Sequence, residues 1–166
     1  RATEDLGVVE LVEVIETELD ALEAEYPRAI FYRDLPDERW VYADELVESA
    51  ITNLIDNALE HNDRVLPEVT VLVEDPSESS DYVEIRIEDN GPGIPNAELT
   101  VLESGTETPL QHISGLGLWL VKWIVDRSNG RLRFADNEPR GTVATLELQR
   151  AETKGSPADV PSIGTE

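Results

Sequence analysis

The sequence predicts an α+β fold: a two-layer α/β sandwich whose mixed, mostly antiparallel sheet is covered on one face by about three helices. Two observations carry this expectation. Three segments, at residues 4–25, 45–62 and 116–127, repeat apolar residues at helical spacing. Around them, short runs alternate apolar with polar residues and are separated by Gly/Pro turns, as half-buried strands do. The chain order is helix, short strands, helix, hairpin, loop, helix, hairpin. One domain is expected over residues 1–150, and the polar stretch 151–166 reads as a disordered tail.

Each element has its own local signal. Val8, Leu11, Val12, Ile15, Leu19 and Leu22 line one face of the first helix, acids line the other, and Pro27 stops it. Residues 29–32 and 40–43 read as short strands on either side of the turn-prone RDLPDE. Asp44 is a helix N-cap, followed by Val47, Ala50, Ile51, Leu54, Ile55 and Ala58 at helical spacing. Val69, Val71 and Val73 alternate with polar neighbours, and DPSESSD joins them to the strand at 83–88 to make a hairpin. Residues 96–114 hold few apolar side chains and read as a mobile loop. The third helix, apolar nearly all round, should be largely buried. Strands at 131–134 and 142–148 flank the turn DNEPRG.

Composition narrows the function classes. The chain has 166 residues, no cysteine, and 13 basic against 36 acidic side chains, for a formal charge of −23. Disulfides and thiolate metal sites are therefore excluded. So strong a negative charge repels nucleic acid and anionic membrane surfaces, and nucleic acid is not an expected partner. The acids are interleaved with apolar residues, as on a folded domain with an acidic surface, and such self-repulsion is tolerated where salt screens it. A high-salt cytoplasm, such as that of a halophilic archaeon, is the expected setting. No apolar run approaches a membrane span and no signal peptide is visible. The chain begins at Arg1, so it is expected to be a piece of something longer. There is no P-loop, and GLGLWL lacks the third glycine of a dinucleotide-binding fingerprint.

Four short features carry chemistry. In NLIDNALEH, Asn53 and Asn57 lie four apart, so two carboxamides share a face of an otherwise apolar helix and need polar partners there. IEDNGPGI ends a strand at Asp89 and enters a turn through Asn90, Gly91, Pro92 and Gly93. SGLGLWLV sets Gly115 and Gly117 at a helix start, where free backbone amides can hold phosphate. RGTVATL opens the last strand with Gly141 and Thr142. Singly, each is an ordinary turn or packing motif.

Together, in this order and spacing, the four features resemble the nucleotide-binding domain of sensor histidine kinases. That is the Bergerat fold of the GHKL superfamily, shared with gyrase, the Hsp90 chaperones and MutL. The resemblance covers about residues 3–149. It makes 53–61 the N box, 89–94 the first glycine box, 114–118 the second, and Gly141 with Thr142 the third. It implies ATP and Mg²⁺ as cofactors. Asp89 would accept a hydrogen bond from the adenine amino group, which rejects guanine. Gly91, Gly93 and Ile94 would pass close to the base, with Thr142 near the same edge. Asn57, and in a supporting role Asn53, would ligate magnesium through amide oxygen. Ser114, Gly115, Leu116, Gly117 and Leu118 would form the phosphate cradle, and loop 96–114 the ATP lid.

Position 53 separates reaction types within that superfamily. Its hydrolytic branches carry a glutamate there that activates water, whereas Asn53 has no useful basicity. The implied activity is therefore transfer of the ATP γ-phosphate to a histidine on a separate upstream dimerisation hairpin, for relay to a response regulator. The parent is expected to be a cytoplasmic-facing homodimer. His61 sits inside the N box and His112 in the lid, and neither has the surroundings of an acceptor. Glu60 stands where the family often has a basic phosphate contact. A serine-kinase regulator of the same fold and a degenerate ATP-binding module are the alternatives. Trp40, Trp119 and Trp123 read as core or interface anchors, and Arg64 and Lys122 as surface residues.

Overall fold

The computed structural model describes residues 6–60, 62–77, 79–93 and 113–152, with only the backbone described at 113–117. Its elements in chain order are β1 (Gly7–Glu10), α1 (Leu11–Glu25), β2 (Ile30–Asp34), β3 (Trp40–Ala43), α2 (Val47–Glu60), β4 (Glu68–Glu74), β5 (Tyr82–Asp89), α3 (Ile113–Arg127), β6 (Arg131–Asp136) and β7 (Thr142–Ala151). The predicted α+β class holds: three helices and a seven-stranded sheet of order β1-β3-β7-β5-β4-β2, with β6 also paired to β7. All pairings are antiparallel except β2 with β4.

Period-2 patterning gives the sheet two different faces. Val83, Ile85 and Ile87 of β5 and Val69, Val71 and Val73 of β4 join Leu146 and Leu148 of β7 in the core. The same cluster takes Leu11, Ile15 and Leu19 from α1, Ile51, Leu54 and Ile55 from α2, and Val121, Ile124 and Val125 from α3. Each fully buried aliphatic side chain contributes roughly 1.5–3 kcal/mol. The alternate residues face outward in a lattice of ion pairs: Arg86 reaches Glu74 (3.1 Å) and Glu88 (3.5 Å), while Arg133 reaches Glu147 (2.7 Å) and Glu84 (3.6 Å).

Two expectations need correction. Residues 7–10 are a strand rather than the first turns of α1, because β1 pairs antiparallel with β3, Val8 opposite Tyr42 and Val9 opposite Val41. Glu10 then caps α1, its carboxylate accepting from the amides of Val12 (3.2 Å) and Glu13 (2.8 Å). The two short strands expected at 29–32 and 40–43 are present as β2 and β3, and their neighbours are nonlocal: β2 runs parallel beside β4 and β3 lies against β1 and β7. The third helix starts at Ile113, so residues 113–114 belong to it rather than to the loop. Residues 94–112 lie outside the described residues, and so do 153–166 of the expected tail, while β7 itself runs through Ala151.

Candidate functional site

The turn after β5 meets the start of β7 at one carboxylate. Asp89 Oδ1 accepts from the Gly91 amide (2.8 Å) and from the Thr142 amide (3.3 Å). Its backbone oxygen accepts from Asn137 Nδ2 at 2.8 Å. Gly141, at φ +115°, lies so close beneath this turn that a Cβ would strike the Asp89 carbonyl oxygen and stand 3.0 Å from Asn90 Cα. Gly93, at φ +91°, sits over the same junction, with Gly141 O and Thr142 Oγ1 at 3.7 and 4.0 Å from the place its Cβ would take. Thus the first and third glycine boxes close on each other around Asp89. Burial pushes the Asp89 carboxyl above its ordinary range, and the Gly91 and Thr142 amides and the charge of Arg140 pull it partway back.

α2 brings the second set of groups. Asn53 and Asn57 are half-buried and one turn apart, as the spacing predicts. Asn57 Nδ2 is buried with no hydrogen-bond partner. Leaving a buried amide unmatched costs about 1–3 kcal/mol, which suits a group that meets a ligand. Among the described residues no cluster of three or more His, Asp or Glu side chains could hold a metal unaided. A hard cation at Asn57 would therefore complete its shell from a bound molecule and water, as magnesium does on nucleotide phosphates. The donor set fits. The start of α2 is fixed by Asp44, which accepts from the Leu46 amide (2.9 Å) and from Arg127 Nε (3.0 Å) at the end of α3.

Three residues outside the predicted set tie these parts together. Asn62, just past α2, donates through Nδ2 to Ala58 O (3.3 Å) and to Asn90 Oδ1 (2.9 Å). Asn90 Oδ1 also accepts from the Glu68 amide (2.9 Å), and Asn90 Nδ2 donates to Leu66 O (3.3 Å). Asn137 clamps the Asp89 carbonyl. Asparagines in turns were the only sequence signal for this network, and it is not specific.

Of the second glycine box, the backbone of Ser114, Gly115, Leu116 and Gly117 lies in the first turns of α3, and the Leu118 side chain is buried in the core. Ile94, His61 and His112 lie outside the described residues. Arg64 Nε approaches Asn90 O (3.4 Å), Lys122 pairs with Asp126 (2.9 Å), and Glu60 is exposed. Trp119 packs on the core, whereas Trp123 is exposed beneath Arg127, 5.0 Å from its ring centroid.

Residues 43–152, from the strand before the α2 cap to the end of β7, match the family of histidine kinase-, DNA gyrase B- and HSP90-like ATPases. The chain belongs to this family. Among relatives of this ATPase domain, the sensor histidine kinase GlnK of Bacillus subtilis is 35% identical over 71% of the chain, which covers 29% of GlnK. The nitrogen regulation protein NtrY of Azorhizobium caulinodans is 28% identical over 94% of the chain, which covers 21% of NtrY. The chain thus spans between about a fifth and three tenths of these curated relatives. The solved structure of the mycobacterial sensor histidine kinase MprB superposes with a TM-score of 0.70 at 27% identity, covering 89% of this chain and 99% of that one. Among the described residues, no helix is long and apolar enough to cross a membrane.

Proposed function

We propose that the chain is the ATP-binding catalytic domain of a two-component sensor histidine kinase, passing the ATP γ-phosphate to a histidine on a separate helical hairpin. The observation that carries this reading is Asp89: a half-buried carboxylate at the junction of two glycine turns, oriented by the Gly91 and Thr142 amides. In this reading Asp89 accepts from the adenine amino group, and guanine, with a carbonyl oxygen at that position, is rejected by acceptor facing acceptor. Gly91 and Gly93 let the backbone lie along the base, and Thr142 flanks the same edge. With α3 starting at Ile113, the free amides of its first turn, at Ser114 and Gly115, receive phosphate, whereas those of Leu116, Gly117 and Leu118 lie within the helix ladder.

Magnesium, when bound, supplies charge neutralisation at the phosphates, held by Asn57 with Asn53 beside it. The unpartnered Asn57 Nδ2 is a hydrogen-bond donor, which supports a phosphate or water oxygen as its partner and leaves Oδ1 as the atom that would hold the metal. Asn53 has no basicity with which to activate water, so transfer to a protein acceptor is favoured over hydrolysis. A response regulator would receive the phosphoryl group, the parent would be a homodimer with this domain in the cytoplasm, and the acidic surface suits a halophilic cell.

Asp89→Asn is the direct test. Calorimetric affinity for Mg-ATP in molar KCl is expected to fall at least about tenfold, the loss of one charge-assisted hydrogen bond, with the melting temperature little changed. Unchanged affinity overturns the assignment. Rapid phosphate release by the isolated chain that Asn53→Ala abolishes would replace the kinase with a hydrolase.

A further inference from the structure

The nucleotide reading above gives the site two ends, a base-reading acid on β5 and an amide pair on α2, and something must set their separation. We propose that Asn62 and Asn90 form a positioning clamp that couples the two ends, so that adenine and magnesium reinforce each other's binding. Asn62 is anchored on the last turn of α2: its amide donates to Leu59 O (3.1 Å) and its Nδ2 to Ala58 O (3.3 Å), the carbonyl next to Asn57. Its other Nδ2 hydrogen goes to Asn90 Oδ1 (2.9 Å), on the residue adjoining Asp89. Two hydrogen bonds and two peptide steps therefore connect the metal-binding amide to the base-reading carboxylate.

The clamp is seated firmly. Asn90 Oδ1 receives a second donor, the Glu68 amide at 2.9 Å, so both its lone pairs are engaged. The two segments also run close, since a Cβ placed on Gly91 would lie 3.4 Å from Asn62 Cα. A tie between two ligand sites is a coupling free energy, and it must act equally in both directions. Cutting it should weaken the cooperation between the ends while sparing each end alone.

Two isosteric, equally charged substitutions separate positioning from bulk structure. Asn62→Asp turns the donor into an acceptor facing Asn90 Oδ1 and breaks the tie. Asn90→Asp keeps the oxygen that accepts from Asn62 and Glu68, and it controls for the added charge and for an acceptor set against a carbonyl, since its new oxygen faces Leu66 O where Nδ2 donated. The measured quantity is the magnesium enhancement, the ratio of ATP dissociation constants without and with Mg²⁺, together with adenosine affinity. Asn62→Asp should cut the enhancement about fivefold, the equivalent of one hydrogen bond, with adenosine affinity held within about twofold. Asn90→Asp should stay within about twofold on both counts. Asn62→Ser, neutral and shorter, should repeat the Asn62→Asp loss and stands in if that variant does not fold.

Equal effects of the two aspartates, or no effect of either, while the wild type shows enhancement and Asp89→Asn loses adenosine, overturn the clamp alone. A wild type without enhancement, or adenosine binding indifferent to Asp89→Asn, overturns the nucleotide reading and the clamp with it.

Discussion

Gly141→Ala tests how tightly the two glycine turns are closed on Asp89. A Cβ at this position would stand 2.8 Å from the Asp89 carbonyl carbon and 3.0 Å from Asn90 Cα, besides striking the Asp89 oxygen. Since such carbon pairs need roughly 3.4 Å or more, the Asp89 peptide must retreat by at least about 0.6 Å. Its oxygen now receives Asn137 Nδ2 at 2.8 Å, and Asp89 Oδ1 holds the Thr142 amide at 3.3 Å, so both bonds break. Two hydrogen bonds at about 1 kcal/mol each, plus about 1–2 kcal/mol for an L-residue at φ +115°, give a loss of about 3–4 kcal/mol. Gly93→Ala is the control. It shares a positive φ (+91°) but meets nothing closer than 3.7 Å, so it should cost only the strain, about 1–2 kcal/mol. Urea unfolding of both variants in molar KCl, with Mg-ATP affinity alongside, measures the difference. If Gly141→Ala is no more costly than Gly93→Ala, the closure of β7 beneath the Asp89 turn has been misjudged.

Substitutions at two further positions probe the packing of α1 on α2 and the capping of α2. Burial, a hydrogen bond to Asp56 and the charges of Asp56 and Glu25 push the Glu18 carboxyl up to about 8. The folded state therefore keeps a proton that the unfolded chain releases near pH 4.5, and stability should fall as pH rises from about 5 to 8. Glu18→Gln should remove that decline and gain up to about 1 kcal/mol at pH 8.5 after solvent screening, with a smaller gain in molar KCl, where the wild type also melts higher; pH-dependent melting curves show whether it does. Asp44→Ala removes the cap on Leu46 and the Arg127 pair and should cost about 2 kcal/mol, whereas Asp44→Asn, which still caps, should recover about half; equal losses in urea unfolding would refute the capping account.

What the sequence made legible was local. α2 announces itself through Asp44 and an apolar stripe, and the β4–β5 and β6–β7 hairpins through alternation and turn chemistry, because each depends on residues close in the chain. β1 was lost because Val8 falls at helical spacing with Leu11, Val12 and Ile15; what makes Gly7–Glu10 a strand is β3, about thirty residues on. The parallel seat of β2 beside β4 is equally nonlocal. In the site, Asp89, Asn57 and Thr142 could be singled out because they sit in spaced motifs. Asn62 and Asn137 could not, and Asn90 was visible only as a motif member without a role, since a turn asparagine looks the same whether it faces water or bridges two turns 28 or 48 residues apart.

The outward face of the sheet explains an oddity of composition. Of the chain's thirteen basic residues, eleven are arginine and two lysine. Arg86 and Arg133 each touch two carboxylates, on two strands apiece, which suits a flat fork and not a single ammonium point. Neighbouring acidic strands are thereby stitched crosswise, and the outward face of the sheet can meet solvent without a further layer of helices. Recoding these two positions as lysine would keep the net charge and unpick the seams.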